Sequence, residues 1–119
     1  MVWNVEYTDE FQEWWNTLTE KQQDDITAIV KLLIEEGAQL PFPYSSGIEG
    51  LKYTHLRELR IQSGGNPIRV FYAFDPRRTA ILLIGGDKTG DNRFYQTYIP
   101  MAERLYEEYL EELKKEGLL

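Results

Sequence analysis

Apolar positions recur along this chain with two different periods, and the switches between them lay out its elements. Val2 to Tyr7 is short, β-branched and aromatic, and reads as a first strand. The spacing then becomes helical: Phe11, Trp14, Trp15 and Leu18 share one face. Asp9, with Gln12 three residues on, has the pattern of a capping box at a helix start, and Thr19 with Gln22 repeats it. Ile26, Ile29, Val30, Leu33 and Ile34 form a second, stronger stripe, and Gly37 is a natural stop. Two helices with almost no linker predict a helical hairpin.

Residues 38–54 carry two prolines and two glycines and read as a crossing loop whose aromatics can pack. Three strands follow: Leu56 to Gln62, Ile68 to Phe74 and Thr79 to Ile84, separated by turns at 63–67 and 75–78. The last two are apolar at nearly every position, as expected of central strands covered on both faces. Turns this short require an antiparallel meander. From about Asn92 to Lys115, Tyr98, Ala102, Leu105, Tyr106, Tyr109 and Leu113 make an apolar and aromatic helical stripe. Glu107, Glu108, Glu111 and Glu112 make its solvated face. Pro100 is expected to be the first residue of a renewed helix after a short helical turn. The expectation is a single α+β domain over residues 1–119, in β-αα-βββ-α order. A small antiparallel sheet carries an N-terminal helical hairpin and a C-terminal helix.

Composition narrows the chemistry. The 119 residues include no cysteine and one histidine, His55, so thiolate metal sites, disulfides and His-rich clusters are excluded. A lone histidine reads first as an ordinary loop residue. No apolar run approaches the roughly 20 residues that span a bilayer. The N-terminus lacks the cationic-then-apolar pattern of a secretion signal, so a cytoplasmic location without membrane association is expected. No cofactor is expected either. The net charge of −7 opposes general nucleic-acid binding, but its distribution is uneven. Arg57 to Arg93 holds seven basic and four acidic residues, a local +3 against −10 elsewhere.

Gly85-Gly86-Asp87-Lys88-Thr89-Gly90 ends a strand but lacks phosphate-loop spacing. Strand alternation puts Leu56, Glu58, Arg60 and Gln62 on one face, and Arg69, Phe71 and Ala73 on one face of the next strand. An arginine inside the apolar run Ile68 to Phe74 is costly to desolvate without a partner. One resolution is a cross-strand ion pair of Arg69 or Arg60 with Glu58. The other is convergence of Arg60, Arg69 and Lys88 on a phosphodiester. Guanidinium forks there would stabilise the charge of a phosphorane. Tyr72 and Tyr95 could stack on a splayed base.

Glu58-Leu59-Arg60-Ile61-Gln62-Ser63-Gly64-Gly65 followed by Ile68-Arg69-Val70-Phe71-Tyr72 resembles the core of phage Gp49-like and HigB toxins, of the RelE/ParE superfamily. Gly86-Asp87-Lys88-Thr89-Gly90 and Phe94-Tyr95 resemble that family's closing turn and following helix. The resemblance spans essentially the whole chain and implies a RelE/ParE-like fold. It also implies the toxin of a type II toxin–antitoxin module, cleaving mRNA in the ribosomal A site without a metal. A HigA-like helix-turn-helix antitoxin would be its partner, in an assembly that could be of higher order. Arg60, Arg69, Lys88 and Tyr95 are then the candidate catalytic residues, and Arg57, Tyr72 and Arg93 candidate RNA contacts. Two features differ from the family's pattern: Asp87 precedes Lys88 where many members have a second lysine, and the chain is acidic. Two other readings stand beside this one. The first is a non-catalytic binder of the same fold, either a ParE-like gyrase inhibitor or a phage accessory protein. The second is a scaffold whose arginines only neutralise carboxylates.

Overall fold

A computed structural model describes residues 2–48 and 56–119, so His55 and the end of the crossing loop lie outside the described residues. The elements in chain order are β1 (Val5–Tyr7), α1 (Asp9–Trp15), α2 (Glu20–Glu36), β2 (Ser45–Gly47), β3 (Arg57–Ser63), β4 (Asn66–Phe74), β5 (Ala80–Asp87) and α3 (Phe94–Lys115), with a 3-10 turn at Gly37–Gln39. The strands form one sheet in the order β1-β5-β4-β3-β2.

β3, β4 and β5 make the expected antiparallel meander, and two short strands extend it. β1 lies parallel to β5, and β2, within the stretch read as loop, lies antiparallel to β3. The sheet is therefore mixed at one edge. The β3–β4 hairpin is tighter than the sequence suggested, because Gly64 and Gly65 both take positive φ (58° and 83°) and close it in two residues. Asn66 and Pro67 consequently belong to β4, and Arg60 stands directly opposite Arg69.

Helix starts follow local chemistry. Thr19 and Gln22 form a reciprocal capping box on α2. On α1 the cap is Thr8 rather than Asp9: its hydroxyl accepts from Phe11 N at 3.0 Å and donates to the Leu83 carbonyl at 2.7 Å. One side chain thus starts the helix and docks it on β5. Asp9 and Glu10 then fall in the first turn, where the helix dipole favours them. Gly37 ends α2 at φ 57°, and the Trp3 ring occupies the space a Cβ would need. α3 runs unbroken through Pro100, contrary to the expected restart. The lost backbone hydrogen bond is offset by burial on both sides of it, from Phe94 to Leu113, against one sheet face.

Two cores result, one per face. Phe11, Ile26 and Leu33 pack with Leu59, Ile61, Val70, Tyr72 and Leu82 beneath α1 and α2. Phe71, Ile81 and Leu83 pack with Phe94, Ala102, Leu105 and Tyr106 beneath α3. Phe94 stacks on Tyr98 at 4.5 Å and Phe71 on Tyr98 at 6.1 Å, pairs worth about 1 kcal/mol each beyond their area. At Gly86 a Cβ would meet Tyr98 and Phe94, so the glycine lets α3 close on β5. The start of α3 thereby stands beside β4, and the α3-side faces of Glu58, Arg60 and Arg69 are brought next to it.

Candidate functional site

The site is built around one buried carboxylate. Glu58, on β3, has a side chain 6 % exposed, and Tyr95, in the first turn of α3, donates its hydroxyl to Glu58 Oε1 at 2.8 Å. Two guanidiniums converge on the same carboxylate: Arg69 Nε is 3.6 Å from Oε1, and Arg60 Nη1 is 3.5 Å from Oε2. The expected ion pairs are therefore both present, but both are long. Arg69 Nη1 donates to the Ile68 carbonyl at 3.0 Å, while its buried Nε has no hydrogen-bond partner among the described residues. A buried N–H left unmade costs about 1–3 kcal/mol.

The cationic excess is structural in origin. Like charges directly opposite on neighbouring strands repel, and the hairpin register fixes Arg60 against Arg69. One carboxylate serves two guanidiniums. Lys88, just after β5, brings a third cation: its Nζ lies 5.2 Å from the centroid of the Tyr95 ring. Its position is held by Lys88 N donating to the Pro67 carbonyl at 2.9 Å, and Asp87 turns away to cap Thr89. Burial raises the Tyr95 phenol above its ordinary range and the bond to Glu58 adds to the rise, with Arg69 pulling the other way. The phenol thus stays protonated wherever an ordinary tyrosine would. Arg60 and Arg69 open on a cleft of about 340 Å³ whose other walls include Pro43, Tyr44 and Gln62. The two ion pairs sit beside this cleft, which is not what a purely neutralising scaffold requires. Among the described residues, no group of three His, Cys, Asp or Glu side chains could hold a metal ion.

Arg60, Arg69, Lys88 and Tyr95 are therefore brought together. Arg93 is exposed at the N-cap of α3, its backbone N–H bonded to Asp91. Of the other two expected RNA contacts, Tyr72 is closed to a base and Arg57 stands apart from the cluster. Tyr72 is 0 % exposed, its hydroxyl 2.6 Å from Ser45 Oγ in the core under α1 and α2, so its ring has no face open to a base. Arg57 stands opposite Tyr72 and donates from Nε to Ser45 Oγ at 3.0 Å, on the face away from Glu58. Strand alternation already separates Arg57 from Arg60. The residue that sequence reasoning undervalued is Glu58, which it treated only as a neutralising partner. A two-residue Gly64-Gly65 turn, counted back along both strands, sets Arg60 against Arg69 with Glu58 beside them.

Residues 13–107 match the model of the phage-derived Gp49-like protein family. A candidate toxin of Mycobacterium tuberculosis, HigB3, is 36 % identical over 100 residues, covering 83 % of this chain and 86 % of the relative. A second from the same organism, HigB2, is 33 % identical over 99 residues, covering 82 % of this chain and 49 % of the relative. This chain thus spans about half of HigB2. Solved structures share the fold at low identity. A mutant form of the Escherichia coli toxin RelE in the free state aligns with TM-score 0.58 and 9 % identity, over 79 % of this chain and 92 % of that one. A chain of the Mycobacterium tuberculosis RelBE2 toxin–antitoxin complex aligns with TM-score 0.56 and 15 % identity, over 73 % of this chain and 99 % of that one. A five-stranded sheet framed by three helices, with its cations gathered beside the start of the last helix, thus occurs in a chain that belongs to the Gp49-like family of phage-derived proteins and carries the RelE-like toxin fold.

Proposed function

We propose that this protein is the toxin of a type II toxin–antitoxin module and an endoribonuclease that cuts mRNA on translating ribosomes. The observation that carries the reading is the Glu58 cluster: Arg60, Arg69 and Tyr95 meet on one buried carboxylate, Lys88 stands over the Tyr95 ring, and the buried Arg69 Nε lacks a hydrogen-bond acceptor among the described residues. A non-bridging phosphate oxygen is the acceptor that a guanidinium fork suits best. Family membership supplies the substrate class, and the helix-turn-helix antitoxin and cytoplasmic action belong to the same proposal.

The roles on this reading are as follows. Arg69, Arg60 and Lys88 hold the scissile phosphate and stabilise the extra charge of the phosphorane. Glu58 takes the proton of the 2′-OH as that oxygen attacks phosphorus. Tyr95 gives its proton to the departing 5′-oxygen as the P–O5′ bond breaks, leaving a 2′,3′-cyclic phosphate and a 5′-OH. Glu58 then returns its proton to Tyr95 along the 2.8 Å hydrogen bond that already joins them, which resets the site. The net cationic seat confined to one face fits a chain whose total charge is −7, because only local phosphate contacts are required.

The test is induction of the wild type and of Arg69→Ala in cells lacking the antitoxin, with mRNA 5′ ends mapped by primer extension. Wild type arrests translation and leaves cut messages, and Arg69→Ala does neither. Equal cutting by the variant overturns the reading. Intact mRNA with accumulating DNA breaks would instead favour a gyrase-directed binder of the same fold.

A further inference from the structure

The turn leading into β2 carries an aromatic ledge that the packing of the protein does not explain. Phe42 is 68 % exposed and Tyr44 is 42 % exposed, although large apolar side chains elsewhere in the described residues are mostly covered. The ledge is not a loose feature. Tyr44 N and Ser45 N both donate to the Pro41 carbonyl, at 3.0 and 3.1 Å, and Arg60 N donates to the Tyr44 carbonyl at 2.9 Å. These bonds pin the turn to β3 at the residue that supplies one of the site's cations. The Arg60 guanidinium carbon lies 5.1 Å from the centroid of the Phe42 ring, so the ledge adjoins the cation cluster directly. Tyr44 also lines the cleft of about 340 Å³ onto which Arg60 and Arg69 open, and the exposed Gln62 amide stands in the same wall.

Two ligand-binding chemistries therefore lie side by side: guanidiniums that suit a phosphate, and open ring faces that suit an aromatic plane. A nucleotide presents both at that spacing. We infer that Phe42 and Tyr44 form a nucleobase-stacking ledge for a base flanking the phosphate held by Arg60 and Arg69, with Gln62 placed to meet that base's polar edge. The inference rests on reading the Glu58 cluster as a phosphate seat and adds to it the site of base recognition. It also replaces the buried Tyr72 as the stacking element.

The experiment is a titration of wild type, Phe42→Ala and Phe42→Trp, followed by NMR. The two probes are a dinucleotide made uncleavable by a 2′-deoxy sugar and its counterpart abasic at one position. Phe42 is exposed, so neither substitution threatens the fold, and a thermal melt checks this. Wild type and Phe42→Trp are expected to bind the dinucleotide about tenfold tighter than the abasic probe, the size of one base–aromatic stack. Phe42→Ala is expected to bind the two probes alike. Wild type binding both probes equally overturns the ledge and leaves the phosphate seat standing. Phe42→Ala keeping the tenfold preference overturns the role of Phe42. Wild type binding neither probe removes the phosphate seat itself, and the ledge with it.

Discussion

Among the described residues, two buried carboxylates each gather arginine and tyrosine partners, and they are built in opposite ways. Asp75, in the turn between β4 and β5, is saturated. Its side chain is 0 % exposed and receives Arg77 Nη2 at 2.9 Å, Arg77 Nε at 3.0 Å, Tyr109 Oη at 3.0 Å and the backbone N–H groups of Arg77 and Thr79 at 2.8 and 3.1 Å. The single Tyr109 O–H proton is shared between Asp75 and Glu6, the latter at 2.9 Å, so α3, the turn and β1 are tied at one point. Glu58 is under-satisfied: one short bond from Tyr95, two guanidiniums at 3.5 and 3.6 Å, and an orphan Nε. A structural charge cluster and a functional one differ in how completely they are closed. Charges that hold a fold are closed by short, complete hydrogen bonds, whereas charges that hold a substrate keep valences open for it.

The comparison can be broken by neutralising each carboxylate. Glu58→Gln keeps the shape but removes the base, and single-turnover cleavage of ribosome-bound mRNA is expected to fall by about 10²–10⁴-fold. Its melting temperature should also fall, because the buried Arg69 loses its counter-charge, so cleavage is scored per folded molecule. Asp75→Ala should affect stability alone. Stripping the partners of Arg77, Tyr109 and Thr79 N is expected to cost about 3 kcal/mol in urea unfolding, with cleavage per folded molecule unchanged. A milder cut at the same cluster is Tyr109→Phe, expected to cost about 1 kcal/mol.

Tyr109 also gives the comparison a pH signature. Burial pushes its phenol well above the ordinary range, and the bonds to Glu6 and Asp75 add to the rise. Its folded pKa is raised, so the associated stability is complete below the ordinary tyrosine value of about 10 and is lost progressively as pH climbs from there towards the raised value. Urea unfolding between pH 9 and about 11 should show wild type losing stability to alkali faster than Tyr109→Phe does. The smallest effect is expected at Arg57, on the face away from Glu58. Arg57→Ala should change cleavage per folded molecule by no more than about twofold.

Much of this was readable from the residues because long apolar runs have one use in a chain this size. β4 and β5 could only be central strands, and the stripes of α2 and α3 could only be one-sided helices. What escaped reading depended on non-local pairing. Ser45–Gly47 has no apolar alternation and becomes β2 through β3, and Val5–Tyr7 says nothing of its parallel alignment with β5. Thr8 was passed over as a cap because its second bond reaches β5, 75 residues away. In the site, Arg60, Arg69, Lys88 and Tyr95 were legible as types in a pattern. Tyr72 was not, because an aromatic in a strand reads the same whether it faces substrate or core. Glu58 acquires its importance only when the hairpin register puts two arginines opposite each other beside it.

The phosphate seat is assigned to the Arg69 Nε–H, which lacks an acceptor among the described residues, whereas the Arg77 Nε–H is already bonded to Asp75. That assignment is tested most directly by recording the arginine Nε–H signals in ¹⁵N NMR as the uncleavable 2′-deoxy dinucleotide is added. The Arg69 Nε–H signal is expected to shift and become protected from solvent exchange while that of Arg77 stays in place. Saturating binding that leaves Arg69 Nε–H unmoved would contradict it.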